Sequence, residues 1–202
     1  MNEIDYICDL ALRFSEVNRT GVYLHNGQPE SDTDHTVMLG WIACSFAAKH
    51  YPELDLGLIA QFALVHDSPE IYAGDVQSLG MDANTARAKK EREAQAVDRL
   101  NSELQTYTWL VDLLKEYEKQ IIPEARFVRA IDKVLPKIVA FINDLVWVSS
   151  KFDFEELQVI FGKQINDIRA YAGEFEKLLE LYQQTAFRII KGIWKLSNEM
   201  CT

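Results

Sequence analysis

Two histidines and several carboxylates stand where the apolar pattern of this chain predicts burial. His35 opens the segment DHTVMLGWIACSFAAKHY, and at 100° per residue it shares a helical face with Leu39, Ile42 and Phe46. His66 shares a face with Ile59, Phe62 and Ala63, and Asp67 follows it directly. Asp132 projects from the edge of a stripe formed by Val128, Ile131, Leu135, Val139 and Ile142. Each has an ordinary explanation when taken alone: a core histidine bonded to a carbonyl, a helix end running into solvent, a buried aspartate paired with a basic residue of another helix. Burying a carboxylate is costly unless a cation or hydrogen bonds compensate. Taken together, two neutral imidazoles and two carboxylates, each at the inner edge of its own helix, suit a divalent transition metal with room left for water. An open coordination position makes such a site hydrolytic, because bound water loses a proton near neutral pH. Glu70 and Asp75 follow at once, either as loop carboxylates of an acidic protein or as catalytic carboxylates beside a metal.

The elements that must position these groups are helical. Apolar periodicity predicts helices over about 2–18, 34–50, 55–67, 84–104, 106–118, 124–149, 153–171 and 174–197, with strand signals weak throughout. Asp34 or Thr33 is expected to cap the second of these. Ser68 precedes Pro69, so the third should end or kink there, and Pro136 should kink the helix that carries Asp132. Two longer segments, 19–33 and about 71–83, carry Gly, Pro, Asn and Asp and read as loops. The charge-rich run 86–99 and the ridge of Arg126, Arg129, Lys133 and Lys137 read as solvated helix faces. The C-terminal third carries Trp147, Phe152, Phe161, Tyr171, Phe175 and Trp194 without a catalytic pattern, and reads as core and a dimer surface. The expected architecture is all-α, one domain over residues 1–202.

Composition narrows the partners. The chain has 202 residues and a formal net charge of -10. That balance argues against nucleic acid or an anionic membrane as the main partner, while a small phosphorylated ligand responds to a local site. The three cysteines, Cys8, Cys44 and Cys201, form no CxxC and no even framework, which points to a reducing, cytoplasmic setting. The start, MNEIDYICDL, lacks the basic region of a signal peptide, and no apolar run approaches the roughly 18 residues that a membrane span requires.

The order His35, His66-Asp67, Asp132 resembles the H…HD…D signature of the HD-domain metal-dependent phosphohydrolases, and more narrowly the bacterial 5′-deoxynucleotidase branch. The stretches that carry the resemblance are ESDTDHT (30–36), HDSPEIYAGD (66–75) and AIDKVLP (130–136), within residues 5 to about 145. The helices over 150–198 would pack on that part. The resemblance implies a helical bundle of the HD-domain type with one divalent ion, Mn, Co, Zn, Fe or Ni, on His35, His66, Asp67 and Asp132. It implies catalytic roles for Glu70 and Asp75, a phosphate contact for Arg19, and a (deoxy)nucleoside 5′-monophosphate as substrate. Family members that discriminate against ribose carry a Trp after that Arg, where this chain has Thr20. A homodimer is a family expectation.

The histidine count separates this chain from multi-metal relatives. It has His25, His35, His50 and His66 and none beyond residue 66, whereas the di-iron oxygenases and cyclic-dinucleotide phosphodiesterases use further histidines after the HD pair. Other readings keep the site and change its use: a nucleoside triphosphate or (p)ppGpp hydrolase, for which the loops carry few basic residues, or a non-catalytic metal- or nucleotide-binding module, which would need neither Glu70 nor Asp75.

Overall fold

The computed structural model describes residues 3–76, 80–143 and 151–199. Its elements in chain order are α1 (Glu3–Glu16), β1 (Asn18–Tyr23), β2 (Pro29–Ser31), α2 (Asp32–His50), α3 (Leu56–Val65), α4 (Glu70–Ala73), α5 (Ala83–Glu103), α6 (Trp109–Lys119), α7 (Pro123–Ile142), α8 (Phe154–Ala172) and α9 (Glu176–Glu199). Among the described residues the architecture is all-α apart from one hairpin. The expected extension of α7 over 144–149, and with it Trp147, lies outside the described residues.

One apolar core joins α2, α3, α7, α8 and α9. Leu39, Ala43, Phe62, Phe127, Ile131, Leu157, Leu178 and Tyr182 are among its fully buried members. A smaller cluster gathers Leu10 of α1, Val65 of α3, Leu100 of α5, and Val111 and Leu114 of α6. The helix α7 threads the main core, packing on α2, α3, α8 and α9, which is why its stripe is so fully apolar. That stripe ends earlier than expected, since Ile142 is exposed. Of the C-terminal aromatics, Phe161 and Phe175 are buried, and Trp194 is exposed.

Segment 19–33, expected to be a loop, contains an antiparallel hairpin, with Asn18 opposite Ser31 and Tyr23 opposite Pro29. Three residues of β2 are too few to show alternation in sequence, but alternation decides which side chains of the hairpin reach the interior. Arg19 and Glu30 face inward while Thr20 is exposed. Gly27, at φ 79°, supplies the left-handed turn residue that closes the hairpin.

The hairpin passes directly into α2. Its cap is Ser31, not Asp34 or Thr33: the Asp34 N–H donates to Ser31 Oγ (3.1 Å), and the Ser31 N–H donates to Asp34 Oδ2 (3.0 Å). Asp34 is thus the far half of a capping box, and the helix begins two residues earlier than expected. The shift matters because it makes Asp32 helical, one turn before His35 and on the same buried face.

At the other break, α3 stops at Val65, and a tight turn through 66–69 leads into the single turn α4. The helix break expected near Ser68-Pro69 therefore occurs, one turn before the proline. Gly74, at φ 70°, ends α4. Pro136 does not terminate α7, which continues helical to Ile142. The basic ridge on α7 is only partly a solvated face: Arg129 is exposed, but the four side chains are engaged. Arg126 pairs with Glu174 (2.7 Å), Arg129 lies over the Tyr171 ring, Lys133 pairs with Asp132, and Lys137 is buried.

Candidate metal centre

His35, His66, Asp67 and Asp132 converge, each offering one ligand atom, and those atoms lie within 4.8 Å of one another. Three elements bring them together: the first turn of α2, the turn after α3, and the middle of α7. His35 is fully buried, with Nε2 3.0 Å from Asp132 Oδ1 and Nδ1 3.1 Å from Glu30 Oε1. His66 turns Nδ1 to the Ala63 carbonyl at 2.9 Å, which fixes the Nδ1–H tautomer and aims Nε2 inward. That Nε2 lies 2.9 Å from Asp67 Oδ2 and 4.0 Å from Asp132 Oδ1, yet it is buried and makes no hydrogen bond. A buried imidazole nitrogen without a hydrogen bond, aimed at carboxylates, fits the role of a metal ligand. The donor set of two nitrogens and two carboxylates fits a divalent transition ion.

The second layer is built for the same purpose. Glu30, fully buried on β2, takes the outer nitrogen of His35, an arrangement that orients metal-ligating imidazoles. Lys133 Nζ bonds the outer oxygen of Asp132 at 2.7 Å. Burial disfavours charge on His35, but its bonds to Asp132 and Glu30 outweigh this and raise it to about 9. Burial works against Asp132 as well, and Lys133 and His35 overcome it, holding the carboxyl well below its usual range. The two carboxylates thus favour a proton on His35, and metal binding at such a site is linked to proton release.

Arg19 and Glu70 border the cluster. Arg19 reaches in from β1, with Nη1 2.8 Å from Asp67 Oδ2 and 3.5 Å from Asp32 Oδ1, and Nε 3.4 Å from Glu30 Oε1. Asp32 is fully buried and neither of its oxygens has a hydrogen-bond partner. Burial and the charge of Asp67 push it up to about 7, against the pull of Arg19. Glu70, at the start of α4, is buried with Oε2 unpartnered, and burial with Asp67 and Asp32 nearby pushes it up to about 10. Asp32, Asp67 and Glu70 form a second group whose oxygens lie within 4.8 Å of one another. Counting histidines could not reveal an all-carboxylate cluster. Asp75 sits further out and accepts the Thr20 N–H at 2.6 Å, tying the segment after α4 to the hairpin.

All seven residues singled out from sequence thus lie at or beside one centre. Sequence reasoning missed four others: Glu30, Asp32, Lys89 and Lys133. The first two belong to the ESDTDHT stretch, but their inward aim depends on strand alternation and the Ser31 cap, neither of which shows in so short a segment. Lys89 belongs to the charge-rich run expected to be solvated. In fact Lys89, Glu93, Ala96 and Leu100 make one inward stripe of α5, and Lys89 Nζ comes within 3.4 Å of Glu70 Oε1.

Buried histidines and carboxylates brought together on three helical segments, with a cation and two buried acids at the rim, define a helical protein whose donor set suits a divalent metal ion. The chain belongs to the HD-domain family, whose model matches residues 12–171. It is 27% identical over 167 residues to the 5′-deoxynucleotidase HDDC2 of Xenopus laevis, covering 81% of this chain and 75% of that one. To the HDDC2 of Bos taurus it is 32% identical over 124 residues, 60% of this chain and 58% of the relative. The fold matches the crystal structure of a predicted metal-dependent phosphohydrolase from Magnetospirillum magnetotacticum, with a TM-score of 0.75, 22% identity, and 94% and 92% of the two chains covered. Among the described residues no helix is long and apolar enough to cross a membrane.

Proposed function

We propose that the chain is a metal-dependent phosphomonoesterase that releases inorganic phosphate from (deoxy)nucleoside 5′-monophosphates. The observation that carries this is the convergence of His35, His66, Asp67 and Asp132 on one point, with His66 Nε2 buried, 2.9 Å from Asp67 Oδ2 and without a hydrogen bond. The named activity of the HDDC2 relatives supports the substrate class.

His35, His66, Asp67 and Asp132 would hold the divalent ion. When bound, the ion supplies a nucleophile at neutral pH and Lewis acidity at the phosphoryl group. Arg19 stays cationic, since the surrounding carboxylates outweigh its burial, and its guanidinium counters charge that builds on the non-bridging oxygens. The leaving nucleoside oxygen needs a proton. Glu70 is the better donor of the two candidates: it is buried and its Oε2 has no partner, whereas Asp75 is occupied by the Thr20 N–H. Asp75 holds the hairpin against the segment after α4 and keeps Arg19 over the centre. Thr20 presents its side chain away from Arg19, so the hairpin puts no aromatic wall at that position to exclude a ribose 2′-hydroxyl.

The test is phosphate release from ribo- and deoxyribonucleoside 5′-monophosphates by metal-stripped protein, with Mn²⁺, Co²⁺, Zn²⁺ or Mg²⁺ restored in turn. Release that needs the ion and falls at least about a hundredfold in Glu70→Ala supports the proposal. Release from triphosphates or (p)ppGpp but from no monophosphate overturns it.

A further inference from the structure

The inward stripe of α5 ends in charge. Leu100 and Ala96 are buried apolar members of that stripe, and continuing it toward the helix N-terminus leads to Glu93 and Lys89. Lys89 is only partly exposed, and its Nζ lies between three oxygens: Glu70 Oε1 at 3.4 Å, the Val76 carbonyl at 3.0 Å, and Glu93 Oε1 at 3.4 Å. Glu70 begins α4, and Val76 follows Asp75 directly. One ammonium therefore ties the two ends of the segment 70–76, which carries both carboxylates placed beside the metal centre. Its far side is fastened separately. Tyr72 bonds Glu103, accepts from Arg13 Nη1 at 3.3 Å, and packs under the Arg99 guanidinium.

Glu70 needs such a hold. Its neighbours toward the centre are Asp67 and Asp32, whose oxygens lie within 4.8 Å of its own, and Lys89 is the cation that meets it from α5 at 3.4 Å. Three donors on a tetrahedral ammonium can serve a side-chain oxygen, a backbone oxygen and Glu93 at once, and the four-carbon stem reaches from α5 without bending the 70–76 backbone. Lys89 touches none of the four metal ligands.

We propose that Lys89 is a positioning residue for hydrolysis: its ammonium, held by Glu93, spans Glu70 and the Val76 carbonyl and fixes the 70–76 segment so that Glu70 faces the metal centre. The proposal rests on the reading of Glu70 as a group that serves the reaction.

Lys89→Met and Lys89→Arg are compared with wild type in three measurements: kcat and KM for phosphate release from a deoxynucleoside 5′-monophosphate in the Co²⁺-loaded enzyme, Co²⁺ affinity by calorimetry, and amide hydrogen exchange over residues 71–76 in the metal-free protein. Lys89→Met should lower kcat at least tenfold with KM and Co²⁺ affinity within twofold, and should speed exchange over 71–76 while leaving that of α7 unchanged. Lys89→Arg should restore most of kcat. Unchanged kcat, or a fall shared by Co²⁺ affinity and by exchange throughout the chain, overturns the proposal. If Lys89→Met does not fold, Lys89→Gln takes its place under the same criteria. If wild type releases no phosphate from any monophosphate, the functional reading fails by itself. Exchange then decides the remaining point: local acceleration upholds Lys89 as the tie across 70–76, and its absence refutes it.

Discussion

Replacing Glu30 with glutamine is the sharpest test of the metal centre, because it replaces none of the four proposed ligands and alters what stands behind one, at the expense of a 3.4 Å ion pair with Arg19. Glu30 is fully buried, 3.1 Å from His35 Nδ1. Its carboxylate does two opposed things. It orients the ring and raises the basicity of Nε2, which favours metal; loss of such a partner costs roughly 10- to 100-fold in affinity, about 1.4–2.8 kcal/mol. It also helps hold a proton on His35, whose pKa stands at about 9, and that proton competes with the metal. Below pH 9 the second effect partly hides the first, since Glu30→Gln makes the proton easier to displace. The loss should therefore be largest at pH 9, tenfold or more, and smaller at pH 6.5. Calorimetric titration of metal-free protein with Co²⁺ in a weakly chelating buffer at both pH values measures it. Equal affinity of mutant and wild type at pH 9 would refute the reasoning, and so would a loss that grows toward low pH.

Two further outcomes come from buried groups. At pH 7.5 metal loading should release roughly one proton, from His35, read as a dependence of the calorimetric enthalpy on the buffer's own ionisation enthalpy; no dependence would mean that His35 carries no proton before the metal binds. Lys137 is buried against the faces of Phe161 and Tyr182, and burial, then Lys133, pushes its ammonium down to about 7, with the ring faces working in the opposite direction. With the folded value below the unfolded 10.5, the unfolded chain binds more protons between pH 7 and 10.5, so this lysine's cost is full below pH 7 and fades as pH rises through that window. Even one pKa unit of that depression is worth about 1.4 kcal/mol, so Lys137→Met should raise Tm by about 3–6 °C at pH 6 and by less at pH 10. A smaller gain at pH 6 than at pH 10 would reverse the assignment.

The sequence was most legible where a residue broke a long periodic pattern. His35, His66 and Asp132 stood out because a run of helical neighbours defined the face they interrupted, and a polar side chain on a buried face must find a partner. Glu30 and Asp32 broke nothing visible. A three-residue strand offers too few positions to establish alternation, and the capping role of Ser31 depends on where the hairpin delivers the chain. Lys89 was hidden for a related reason: in a helix rich in charge, an inward lysine resembles its solvated neighbours until the segment it faces is known. The ridge of Arg126, Arg129, Lys133 and Lys137 misled in part for the same reason, since α8 and α9 pack against α7 and bury Lys137 at the end of a face on which Arg129 stays exposed.

Sequence by itself determined the helical class, the residues able to ligate a metal and the carboxylates beside them, because residue type and helical period are local properties. Only the tertiary structure decided which atoms meet. It alone brings Asp132, 97 positions beyond His35, within 3.0 Å of it. It leaves His66 Nε2 buried without a hydrogen-bond partner, and it surrounds Glu70 with two carboxylates and one ammonium. Distances between separate helices are set by how their apolar faces pack, and the charge state of a buried group is set by the neighbours that packing delivers.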